Sequence, residues 1–223
     1  MIPTPPTVTV VDHPVLRHTL TQLRDRTVDA ERFRHLVHRA ALLLGAEATR
    51  DLPLDPITID TPLETMVGER LGHNALCLVS ILRAGNGLLD GMLDLLPFAR
   101  VGHIGLARDH ETLRPVEYYL KLPDGLGAGV TIVVDPMLAT GHSAGAAIAR
   151  VKQAGATRIR FVCLLAAPEG LRTLAAEHPD VPVIVGAIDR GLDEFGYIRP
   201  GLGDAGDRIY GTGVADHVNP GPD

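Results

Sequence analysis

The feature that most limits what this chain can fold into is a series of apolar runs separated by segments with helical spacing. The runs are "ALCLVSIL" at 75–82, "VGHIGLA" at 101–107, "GVTIVVD" at 129–135, "RIRFVCLLAA" at 158–167 and "VPVIVGAI" at 181–188. A strand with one face in water alternates polar and apolar residues, whereas a strand covered on both faces does not have to. Helix-like segments follow three of the runs: "GLLDGMLDLLP", closed by Pro97, then a stripe of Ala144, Ala147, Ile148 and Val151, then a segment after Ala167. Alternating buried strands and helices imply an α/β fold, a mostly parallel sheet flanked by helices.

The rest of the chain elaborates that plan. In "AERFRHLVHRAALLLGAEATR", residues Phe33, Leu36, Val37, Ala40, Ala41 and Leu44 form a helical stripe, with Asp29 as N-cap and His35 and His38 off the stripe. The segment "DLPLDPITIDTP" reads as a proline-punctuated link. The charged, then alternating stretch "RDHETLRPVEYYLK" at 108–121 reads as an exposed hairpin or lid. Residues 1–9 read as a short tail, and 1–223 as a single domain.

Composition narrows the function. A formal net charge of −6 disfavours a nucleic-acid binder, which needs a basic face, so an anionic ligand has to be captured locally. No apolar run approaches the roughly 18 to 20 residues that cross a bilayer, and "MIPTPPTVTV" lacks the blocks of a secretory signal, so the expectation is a cytoplasmic protein with no membrane partner. Cys77 and Cys163 each sit inside an apolar run and read as buried thiols.

In an open parallel sheet, ligands bind at the carboxyl ends of the strands. Arg83, Arg108, Asp135 and the region after Ile188 are therefore expected on one rim. The most informative of these strand ends is "VVDPMLATGHSAG" at 133–145. Its Thr140-Gly141-His142-Ser143 opens a helix, and helix N-termini present unpaired N–H groups that suit a phosphate. Asp135 is placed to accept hydrogen bonds from the hydroxyls of a sugar. The lysine and first glycine of a Walker A loop are missing, which disfavours a nucleotide triphosphatase. Loop chemistry alone leaves open that the segment only caps a helix and turns the chain.

The Asp-Pro-Met-Leu-Ala-Thr-Gly loop resembles that of the uracil phosphoribosyltransferase family, a branch of the type I phosphoribosyltransferases that bind phosphoribosyl diphosphate (PRPP). Four further segments agree in order: "HPVLRHTLTQLRD", "ILRAGNGLLDGM", "ARDHETLRPVEYY" and "AAPEGL". The most specific is "GYIRPGLGDAGDRIYGT" at 196–212, and the likeness spans roughly residues 10 to 212. The resemblance implies the type I phosphoribosyltransferase fold, with a β-hairpin or lid and a C-terminal base-binding loop at 193–206.

It also implies roles. Arg83 and Arg108 would hold the PRPP diphosphate, and the loop 135–143 (Asp135, Pro136, Met137, Leu138, Ala139, Thr140, Gly141, His142 and Ser143) its 5-phosphate and ribose. Uracil would be read by main-chain atoms at Ile198 and at Gly203, Asp204 and Ala205, with Asp204 also facing PRPP. Arg83, Arg108, Asp135 and Asp204 form the implied catalytic set, and no side chain declares itself as a general base. The implied reaction joins uracil N1 to PRPP, giving UMP and diphosphate, with Mg²⁺ held mainly through the diphosphate. Homodimers or homotetramers and a GTP effector are further expectations from the resemblance.

The chain departs from the usual family pattern at Ser80, where proline is common, Asn86, where leucine is common, His142, where glycine is common, and Phe195, where histidine is frequent. These positions keep two other readings open: a PRPP-dependent transferase for a different pyrimidine-like base, and a nucleotide-sensing regulator on the same fold.

Overall fold

The computed structural model describes residues 8–72, 76–108 and 115–212. In chain order the strands and α-helices are β1 (Val8–Val10), α1 (Pro14–Arg24), α2 (Ala30–Ala48), β2 (Leu54–Asp60), β3 (Thr65–Leu71), β4 (Leu76–Leu82), α3 (Gly85–Leu95), β5 (Arg100–Arg108) and β6 (Pro115–Lys121). There follow β7 (Val130–Val134), β8 (Met137–Leu138), α4 (His142–Gln153), β9 (Arg158–Ala166), α5 (Pro168–Glu177), β10 (Val183–Ile188), β11 (Gly191–Leu192), β12 (Ile198–Arg199) and α6 (Ala205–Tyr210).

The main sheet runs β1-β10-β9-β7-β4-β5-β6, with β8 added beside β9. Every pairing in it is parallel except that of β5 with β6. Its central strands feed two cores, because successive side chains of a strand point to opposite faces. Leu78, Ile132 and Leu164 face a core shared with α1, α2, α3 and α6, while Val79, Val133 and Cys163 face a second core shared with α4 and α5. Cover on both faces is why these runs carry no polar alternation. Both cysteines are free and buried.

The helices form where the apolar spacing places them. The Asp29 carboxylate accepts the Arg32 N–H at 2.8 Å and starts α2, whose whole expected stripe is buried. His35 is exposed and His38 half-buried, pairing with Asp94 at 3.0 Å.

Three expectations need correction. The link at 51–62 is largely strand: β2 pairs antiparallel with β3 from Leu54↔Leu71 to Asp60↔Thr65. This arm stands clear of the cores, so its sequence lacks the buried pattern that marks the other strands, and Pro56 is tolerated because a two-stranded arm has free edges. The tail assigned to 1–9 is shorter, since Val8 and Thr9 pair with Val183 and Ile184, giving partners to the outer edge of β10. The 193–206 loop is partly regular: β12 pairs with β11, and α6 begins at Ala205. The hairpin expected at 108–121 has its two strands, β5 and β6, paired from His103↔Lys121 outward, while its tip at 109–114 lies outside the described residues.

Candidate active site

Because β4, β5, β7, β9 and β10 run parallel, their carboxyl ends share one rim. Arg83 follows β4, Arg108 closes β5, Asp135 follows β7 and Asp189 follows β10. The Arg108 backbone pairs with Pro115, and its side chain lies outside the described residues.

The loop after β7 is held by backbone. The Pro136 carbonyl accepts the N–H groups of Leu164 and Leu165, and the Leu138 carbonyl that of Ala167, so the loop lies along the end of β9. Pro136 and Leu138 are buried, Leu138 within the second core. Their expected part in ligand binding therefore narrows to the main chain. At Thr140 to Ser143 the chain turns into α4 through Gly141, with φ at 89°. A Cβ on Gly141 would lie 2.8 Å from the Gly170 carbonyl oxygen and 2.9 Å from Thr173 Cβ, so only glycine fits. Among the described residues no side chain caps α4, which leaves its first-turn N–H groups for an anion. His142 and Ser143 are exposed beside this turn.

The C-terminal loop is latched by an ion pair that spacing along the chain does not reveal. Arg24 donates from both terminal nitrogens to Asp189, at 2.6 and 2.7 Å, and also to the Gly201 carbonyl at 2.8 Å. Asp189 Oδ2 accepts the Gly201 N–H at 2.8 Å, so one carboxylate and one guanidinium hold both backbone groups of Gly201. Gly201 has φ at 64°, and a Cβ there would strike the Ile198 carbonyl. Arg208 adds a second brace, donating to the carbonyls of Leu23, Leu202 and Asp25 over the Phe33 ring. Past the braces, Gly203 and Asp204 are exposed, while Ile198 and Ala205 are buried at the loop's two ends and offer backbone only.

The Asp135 carboxyl lies within electrostatic reach of Asp204. Burial pushes the Asp135 carboxyl up to about 7, the Met137 N–H opposes that shift, and the negative charge of Asp204 adds to it. Asp204 Oδ1 in turn caps α6 by accepting the Asp207 N–H at 2.9 Å. Arg83, with 59% of its side chain exposed, has Asp207 at 3.7 Å and the Tyr210 ring at 5.8 Å. The rim thus offers a free helix N-terminus, an acidic centre, an exposed arginine and a glycine-rich loop of backbone donors and acceptors. That set suits a ligand with a phosphate at one end, hydroxyls in the middle and further anionic charge beyond.

The model of the family described as uracil phosphoribosyltransferase matches residues 10–212. The chain belongs to the uracil phosphoribosyltransferase family. Relatives named uracil phosphoribosyltransferase from Acidovorax ebreus (strain TPSY) and Paracoccus denitrificans (strain Pd 1222) are each 58% identical to it over 205 residues, which is 92% of this chain and 98% and 97% of theirs. The solved structure of the AQ2163 protein from Aquifex aeolicus is 34% identical and covers 93% of this chain and 100% of its own, with a TM-score of 0.89. The expected type I phosphoribosyltransferase fold and uracil phosphoribosyltransferase class both hold.

Within this family member, the sequence located Arg83, Asp135 and the 140–143 turn through their strand ends, and the structure brings them to one rim. It did not point to Arg24, Asp189, Arg208 or Tyr210. The only signal for Asp189 was its place immediately after a buried strand, and the others lie on helices whose partners are distant in sequence. Phe195 stands 70% exposed at the turn of the β11–β12 hairpin, where Asp193 accepts the N–H groups of Phe195 and Tyr197.

Proposed function

We propose that this rim binds PRPP and uracil together and joins uracil N1 to the anomeric carbon, releasing diphosphate and leaving UMP. The observation that carries the assignment of ends is the uncapped start of α4, turned by Gly141 in the loop that Asp135 opens, on the same rim as Arg83. The 5-phosphate sits on the backbone N–H groups of Thr140 to Ser143, and Asp135 receives the ribose hydroxyls. Arg83 and Arg108 take the diphosphate, and the main chain at Ile198 and Gly203 to Ala205 faces the base.

In the step itself the N1–carbon bond forms as the carbon–oxygen bond to diphosphate breaks, the bonding pair leaves with the diphosphate, and the N1 proton passes to solvent or to the departing diphosphate. Arginines favour this because they keep their charge and donate two bonds in a fixed plane, so their interaction strengthens as the leaving group gains charge. The 5-phosphate anchor holds the sugar still while this occurs. A backbone-lined base site discriminates through its fixed donors and acceptors, since a base with the wrong edge leaves them unpaired. No protein side chain is assigned as general base, and Asp204 is given a binding role.

Asp135, half-buried, and Asp204, exposed, are carboxylates of the kind that suits a hard cation, which takes one or two carboxylates and otherwise phosphate oxygens. Mg²⁺ bound there with PRPP would supply charge neutralisation for the departing diphosphate. Among the described residues no group of three or more His, Cys, Asp or Glu side chains is arranged to hold a metal without substrate.

The chain works as a homo-oligomer in the cytoplasm on this reading. The β2–β3 arm supports the oligomer, because it exposes 94% of Leu63 and 68% of Val67, which a second copy would cover. Among the described residues no helix is long and apolar enough to cross a membrane. GTP belongs to the same family reading as an effector, and adding it to the assay below tests that point.

The test is steady-state turnover with PRPP, Mg²⁺ and a panel of pyrimidine-like bases. Uracil is expected to give the highest kcat/KM. Faster turnover of another base would replace the uracil assignment, and PRPP binding without turnover of any base would favour a nucleotide-sensing protein.

A further inference from the structure

Ser80 and Asn86, six residues apart, hold each other. Ser80 is fully buried near the end of β4, and its hydroxyl donates to Asn86 Oδ1 at 2.8 Å, in the first turn of α3. That bond turns the nitrogen of the amide away from the serine, and the Asn86 side chain lies near the Tyr210 phenol, whose pKa burial pushes up and the amide opposes. Tyr210 Oη then donates to the Arg83 carbonyl at 2.9 Å, and the Asn86 backbone N–H reaches the same carbonyl at 3.2 Å. Three side chains from β4, α3 and α6 thus close around the turn that presents Arg83.

The surroundings leave this turn little freedom. A Cβ on Gly85 would lie 2.6 Å from the Val134 carbonyl oxygen and 2.7 Å from Ser80 Oγ, so the start of α3 is pressed against both β7 and the serine. A buried hydroxyl and a neighbouring amide are costly unless they satisfy one another, which makes the two residues a pair. Tyr210 also lies on the helix that begins directly after Gly203 and Asp204, and it links the base side of the site to the arginine turn.

We propose that Ser80, Asn86 and Tyr210 are positioning residues that set the Arg83 turn for the diphosphate of PRPP. The inference rests on the assignment of Arg83 to PRPP. None of the three is a catalytic residue, because each acts through the Arg83 carbonyl and the start of α3.

The test uses Tyr210→Phe, which removes one hydroxyl and keeps the ring beside Arg83, together with Asn86→Leu and the double variant. Tyr210→Phe is expected to raise the PRPP KM about tenfold, the scale of one hydrogen bond serving a charged site, while the uracil KM stays within about twofold. The double variant is expected to lose little more than the worse single, since both residues act on the one turn at Arg83. Thermal unfolding is followed in parallel, because a merely structural role would lower Tm and leave both KM values in place. A Tyr210→Phe enzyme with an unchanged PRPP KM, or losses that add independently, would overturn the proposal. Wild-type turnover separates the two readings: without PRPP turnover the substrate assignment fails and takes this proposal with it, whereas normal wild-type turnover beside an unaffected Tyr210→Phe sinks the positioning role alone.

Discussion

Replacing Asp189 with alanine removes the single carboxylate that ties the C-terminal loop to the body of the domain. Its two oxygens take both terminal nitrogens of Arg24 and the Gly201 N–H, and its side chain is only 5% exposed against 26% for Arg24. The change leaves a mostly covered guanidinium facing one remaining acceptor, the Gly201 carbonyl. Breaking a buried pair on one side costs about 3–5 kcal/mol, and the partial exposure of Arg24 puts the expectation at the lower end, about 3 kcal/mol. A loss of that size is a large share of the roughly 5–15 kcal/mol that holds a domain together. Urea unfolding of the wild type, Asp189→Ala and the double variant Arg24→Met with Asp189→Ala measures it, and the double variant should recover part of the loss by removing the stranded charge. Because the proposed base site lies on the latched loop, the uracil KM should rise more than the PRPP KM. A loss under about 1 kcal/mol with an unchanged uracil KM would refute this account of the latch.

Other perturbations follow from the same geometry. Asp135 has a folded pKa raised from 3.8 to about 7, so the stability it contributes is present below the lower value and lost as pH rises through the upper one. Asp135→Asn should therefore flatten the fall in Tm of the ligand-free protein between those values, and make it more stable than wild type above about pH 7, while weakening use of PRPP. An unchanged pH profile of Tm would place the carboxyl in water. Gly141→Ala should cost about 2–3 kcal/mol and raise the PRPP KM, since a residue with a Cβ has to leave φ at 89° and push away from Gly170 and Thr173. Normal unfolding and normal PRPP kinetics in that variant would remove the turn from the phosphate site. Arg108→Ala should raise the PRPP KM by about tenfold or more with little change for uracil, consistent with loss of a charge-assisted bond to the diphosphate, and unchanged PRPP kinetics would take Arg108 out of the site.

The parts of this fold that were legible in the sequence are those that burial writes into local pattern. Apolar runs such as 75–82 and 129–134 mark strands covered on both faces, and the residue after each run marks the rim, so the pattern alone places Arg83 and Asp135. The Asp29 cap and the α2 stripe are local for the same reason. The β2–β3 arm escaped because it packs against neither core, and Val8 and Thr9 because an edge strand of three residues carries too few positions to show a period. The Arg24–Asp189 latch joins residues 165 apart in the chain, and Tyr210 reaches the Arg83 carbonyl across 127, so neither has a spacing that could be read. Ser80 and Asn86 appeared in the sequence as two separate irregularities, and their hydrogen bond makes them one.

The central claim is that one rim holds a ribose 5-phosphate at the start of α4 and a pyrimidine at the glycine-rich loop. A crystal structure of the protein with UMP tests it most directly. The account predicts the phosphate against the backbone N–H groups of Thr140 to Ser143, the ribose hydroxyls at Asp135, and the uracil edge at Ile198 and Gly203 to Ala205. A phosphate seated at another helix start, or a base lying away from the 193–206 loop, would contradict it.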